Sequence, residues 1–106
     1  MTKQIEVRVV CYKGEGPWVA QCVEHDIAAF SRSVKDLPTA IKRAIAANVC
    51  VNHDLGREGL EGIPRAPERF AEMVRSGLRI ESEACHFSVS DQRTVHIREL
   101  VLADAA

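Results

Sequence analysis

Two hydrophobic periods divide the chain. Residues 4–12, QIEVRVVCY, alternate: Ile5, Val7, Val9 and Cys11 point one way, Glu6 and Arg8 the other. β-branched side chains predominate, so the segment reads as a half-buried strand. Residues 13–17, KGEGP, form a turn cluster of the length a hairpin needs. Residues 18–23, WVAQCV, are then a second strand, Glu24-His25-Asp26 a solvated polar corner, and residues 27–32, IAAFSR, a short third strand.

Residues 33–51, SVKDLPTAIKRAIAANVCV, change the period. Leu37, Ala40, Ile41, Ala44, Ile45 and Asn48 recur at steps of three and four, which gathers them on one helix face. Lys42 and Arg43 fall outside that face. Ser33 or Asp36 is placed to cap the first turn, where Pro38 is tolerated because its missing N–H needs no partner. Asn52 and Gly56 are the expected stop. An apolar helix stripe must be buried against another layer, and the flanking strands are the available one.

Beyond the helix the pattern weakens. Residues 52–67, NHDLGREGLEGIPRAP, read as an exposed linker or loop. A short helix is expected over residues 67–76, with Phe70, Met73 and Val74 inward and Gly77 as its C-terminal cap. Period two then returns over residues 78–83, 85–89 and 94–102, with a turn at Asp91-Gln92-Arg93. The last strand would carry Val95, Ile97, Glu99 and Val101 on one face and His96, Arg98, Leu100 and Leu102 on the other. A helix over residues 93–103 is the competing reading. The expected class is therefore α+β: a three-stranded antiparallel meander plus one long helix, with a short second helix and C-terminal strands. All 106 residues fit one domain, divided into a core at 4–52, a loop at 53–66 and the remainder at 67–106.

An apolar content of 46% is enough for a core without covalent staples. A net charge of −1 steers the chain to neither nucleic acid nor an anionic membrane. No apolar run approaches the ~18 residues of a membrane span, and MTKQIEV lacks a signal-peptide core, so a cytoplasmic, membrane-free protein is expected. Cys11, Cys22, Cys50 and Cys85 are scattered without a CxxC pair, and read as buried reduced thiols.

Candidate chemistry is sparse. Cys22, His25 and Asp26 could begin a metal site, but Cys85-His86 cannot supply a second close pair, because strand neighbours point to opposite faces. Cys22 in mid-strand and Cys50 on the apolar end of the helix read as buried and inert, with no nucleophile signature around them. A two-metal nuclease needs carboxylates from several elements, and residues 37–51 hold none. Gly56, Gly59 and Gly62 follow a helix instead of opening one, so they read as a flexible loop and not a phosphate cradle. No catalytic residue, cofactor or metal is assigned. Lys35, Lys42, Arg43, Arg57, Arg65 and Arg69, with Phe70 nearby, leave a nucleic-acid-binding module as an alternative.

The stretch WVAQCVEHDIAAFSRSVKDLPTAIKRAIAANV resembles the HicB-type antitoxin core. The likeness runs through Trp18, Val19 and Ala20, then Val23 to Ile27, then Phe30 to Ser33, and in the helix Asp36, Ala40, Ala44 and Ile45. It covers residues 4–52. His25, Ala29 and Arg32 stand where the family usually has Pro, Gly and Gly, and no DNA-binding segment follows Asn52. The resemblance implies a partial RNase H-like fold lacking catalytic carboxylates, a non-catalytic homo-oligomer, and a small HicA-like toxin as partner. Expected contact residues are Trp18, Ala20 and Phe30. The alternatives are a nucleic-acid-binding module or a small metal-binding protein using Cys22, His25 and Asp26.

Overall fold

A computed structural model describes residues 3–90 and 93–103. The order is β1 (Lys3–Lys13), β2 (Trp18–Cys22), β3 (Ala28–Ser31), α1 (Leu37–Asp54), α2 (Glu68–Ser76), β4 (Leu78–Arg79), β5 (His86–Ser90) and β6 (Arg93–Leu102). The α+β class and the alternation of the first strands are as the sequence indicates. The sheet is larger than a three-stranded meander: β1, β2 and β3 pair antiparallel, and β6 then lies parallel against the far side of β1. The strand order is β3-β2-β1-β6-β4, with β5 also on β6, giving six strands in a mixed sheet. Between strand and helix over residues 93–103, strand is what forms, because β6 has neighbours on both sides to complete its hydrogen bonds.

Both faces of the sheet are covered. Val7, Val9, Cys11, Ala20, Cys22 and Ala29 meet α1 through Leu37, Ile41, Ile45 and Val49. Leu37, Ile41 and Ile45 are fully buried, each contributing about 1.5–3 kcal/mol over an exposed position. On the opposite face Val10, Val23 and Val101 meet Phe70, Ala71 and Val74 of α2. Met73, expected inward, is only half-buried, and Ala71 takes its place.

The expected faces of β6 are corrected by a bulge. The ladder steps from Val7–Ile97 to Arg8–Glu99, so Arg98 has no opposite residue on β1. One extra residue inverts the alternation that follows. Val95 and Ile97 therefore share the α1 face with Leu100, while Val101 turns to α2.

The helix ends also differ from expectation. Neither Ser33 nor Asp36 caps α1 through its side chain; a 3-10 turn over Val34–Asp36 leads in instead, and the Leu37 N–H donates to the Val34 carbonyl. Pro38 sits in the first turn as anticipated. The helix runs past Val51 to Asp54, so Asn52 lies inside it and Cys50 is exposed, not buried. Pro67 precedes α2 instead of opening it, and Gly77 is extended, without the left-handed cap geometry. The strand expected over residues 78–83 shortens to Leu78–Arg79, and a 3-10 turn over Glu83–Cys85 follows. The turn expected at Asp91-Gln92-Arg93 lies at residues 91 and 92 outside the described residues.

The segment after α1 is a strap, not a free linker. Buried Asn52 donates its side-chain amide to the Gly59 and Glu61 carbonyls at 2.9 and 3.0 Å. Leu60 and Ala66 are buried. Gly56, Gly59 and Gly62 all take positive φ, the left-handed region glycine enters without strain.

Candidate partner-binding surface

β3 forms one margin of the sheet, and its outer side has no neighbouring strand among the described residues. In antiparallel pairing, alternate residues turn both N–H and C=O toward the neighbour. The Cys22 N–H donates to the Ile27 carbonyl, and β2 pairs β3 with Ala20 opposite Ala29. Ala29 and Ser31 therefore direct their backbone groups to β2, as does the Ile27 carbonyl, while the Ile27 N–H donates to the His25 carbonyl at 2.7 Å; Asp26, Ala28 and Phe30 direct theirs outward. The Asp26 N–H obeys this parity, donating to the Pro64 carbonyl at 2.6 Å. Beyond it, Ala28 and Phe30 present N–H and C=O to an uncovered edge among the described residues.

The three expected contact residues do not gather there. Ala20 is completely buried beneath α1 and offers no surface. Trp18 is half-buried on the same face, with the Lys13 ammonium 5.6 Å from its ring centroid. Phe30 projects from the other face, opposite Val19, and is 64% exposed. Only Phe30 stands on the open margin. The strand alternation in IAAFSR separates Phe30 from Ala29, but deciding which of them faces α1 requires the packed helix.

The corner leading into β3 is tied down, contrary to the solvated corner expected. Glu24 accepts from the Arg8 backbone N–H at 2.7 Å and from its Nε at 2.6 Å. Burial raises the Glu24 pKa, but these bonds and the Arg8 charge outweigh it and hold the carboxyl below its ordinary value. The buried Gln21 amide donates to Asp26 Oδ1 at 2.9 Å and to the Cys22 carbonyl. His25 Nδ1 lies 3.3 Å from the Ile63 carbonyl. Each residue of the corner is thus tied to β1, β2 or the strap.

That wiring bears on the metal alternative. Cys22 is buried on the α1 face while His25 engages the strap. Among the described residues no three His, Cys, Asp or Glu side chains are grouped to hold a metal ion. His86 and His96 do face each other across β5 and β6, ring centroids 5.1 Å apart. Burial pushes the Cys11 thiol up to about 12, helped by Cys85, and the Cys22 thiol up to about 11. Neither is poised as a nucleophile. A groove of about 570 Å³ lies between β6 and the segment that joins β4 to β5, with Arg79, Glu81, Glu83 and Arg98 among its lining residues.

Set against protein-family models, curated proteins and solved structures, the chain matches none of them. No described helix is long and apolar enough to cross a membrane. The feature of the surface that bears on function is the β3 margin, an open edge that carries exposed Phe30.

Proposed function

We propose that this chain is a non-catalytic, HicB-like interaction protein of partial RNase H-like fold, which self-associates and masks a small HicA-like toxin in the cytoplasm. The observation that carries the reading is the open β3 edge, where Phe30 is exposed next to unpaired backbone. Natural sheets protect such edges with lysine, proline or a covering loop, and residues 28–31 have none of these devices. An edge kept open and apolar is suited to adding a strand from another chain. Supporting observations are the antiparallel β1–β2–β3 order followed by α1 across one face, the absence of acidic residues from α1 before its last position, Asp54, and four free cysteines.

The test is co-expression with the product of each adjacent small open reading frame, followed by size-exclusion chromatography with light scattering. Co-elution with a small basic protein, and relief of that protein's toxicity, is the expected result. If no neighbouring product is bound or neutralised, the toxin-masking function is wrong.

A further inference from the structure

We infer that the β3 edge is a self-recognition surface, on which two copies of the chain pair antiparallel about a two-fold axis at Ala29, joining their sheets into one. The inference rests on the self-associating half of the reading above, and needs no toxin.

The register follows from the outward backbone groups. Ala28 and Phe30 are the β3 residues whose N–H and C=O face the edge. Two copies can satisfy all of them in one antiparallel alignment, with Ala28 opposite the partner's Phe30 and Phe30 opposite the partner's Ala28. Each of these pairs exchanges two backbone hydrogen bonds. Ala29 then falls opposite the partner's Ala29, at the closely spaced, non-hydrogen-bonded position. Small side chains suit that position, because the chains approach most closely there.

The side chains agree with the same alignment. Directly opposed residues project to one face, so exposed Phe30 covers the partner's exposed Ala28, and the reverse contact is identical. Continuing outward by parity, Asp26 comes opposite the partner's Arg32. Both are exposed, and Arg32 has no ion pair among the described residues. One end of the edge is acidic and the other basic, which an antiparallel copy of the same strand complements twice. A parallel copy would instead set like charges together. The Asp26 N–H is held by Pro64, so the hydrogen-bonded ladder closes at Ala28 and cannot lengthen. The contact is small, so a dissociation constant on the order of micromolar is expected.

Analytical ultracentrifugation of the purified chain alone, up to about millimolar concentration, tests the proposal. The expected result is a reversible dimer of the 11.7 kDa chain. Ala28→Pro removes one edge donor and should weaken the dimer about tenfold or more, with the fold checked by circular dichroism. Should that variant not fold, Arg32→Glu sets like charges opposite each other and takes its place as the deciding variant. Hydrogen exchange adds a readout of register: the Ala28 and Phe30 amides should gain protection with dimer concentration. A chain that stays monomeric, or a dimer indifferent to the deciding variant, overturns the proposal. So does protection of those amides only when a toxin is added, which would make the toxin the occupant.

Discussion

Arg8 holds Glu24 by two atoms at once, its backbone N–H on Oε1 at 2.7 Å and its Nε on Oε2 at 2.6 Å. The pair joins the middle of β1 to the corner after β2, with both side chains less than a quarter exposed. Because Glu24 titrates below its ordinary 4.5 in the folded chain, its contribution is complete above that pH and is lost as pH falls through the folded value. Glu24→Gln should cost about 1.5–3 kcal/mol at pH 7. Urea melts of both proteins should converge as the pH is lowered below about 4.5. A gap that stays constant with pH would mean that the carboxylate's charge is not what stabilises the corner.

Asn52 makes a second prediction. Its amide hydrogens are the donors to the Gly59 and Glu61 carbonyls. Asn52→Ala should cost about 1–3 kcal/mol by leaving those carbonyls unpaired. Asn52→Asp should cost more, because a buried carboxylate would face two acceptors. Chemical denaturation orders the two variants, and loop-specific hydrogen exchange should rise in both.

The cysteines should separate by reactivity. Cys50 is exposed and should react first with a thiol reagent at pH 8, while Cys85, half-buried and raised by burial, should follow more slowly. Cys11 and Cys22, pushed up to about 12 and about 11, should react only on unfolding. Mass spectrometry of timed samples reads the order, and Cys50→Ser should abolish the fast phase alone.

Two phenylalanines should behave oppositely. Phe70 is 5% exposed between α2 and the sheet, its ring centroid 6.0 Å from that of Tyr12. Phe70→Ala should cost about 3–5 kcal/mol. Phe30→Ala, at a 64% exposed position, should leave thermal stability within about 0.5 kcal/mol while weakening self-association. Parallel melting and sedimentation measurements separate the two effects.

The first half of the chain was legible because local patterns decide it. Alternation over Ile5–Cys11 and the three-to-four step over Leu37–Ile45 each need only one buried face to be interpretable. The second half depends on long-range events. No local signal marks Arg98 as an inserted residue, so period two assigns Leu100 and Val101 to the wrong faces. The polar string after α1 resembles a linker until Asn52, from inside the helix, is seen to hold it. The candidate contacts suffered similarly: Trp18, Ala20 and Phe30 are close in sequence, but strand parity sends Ala20 under α1 and Phe30 to the margin.

The parallel pairing of β1 with β6 also sets an order of events. β1 is near the centre of the sheet, yet one of its two neighbours is encoded some 80 residues later. At ordinary translation speeds that delay is on the order of ten seconds. During it a nascent chain can form β1, β2 and α1, but the outer edge of β1 along Lys3–Cys11 has no strand beside it. Sheet completion is therefore a late event in biogenesis, and a ribosome stalled before Arg93 would display an apolar, strand-hungry edge to any chain nearby.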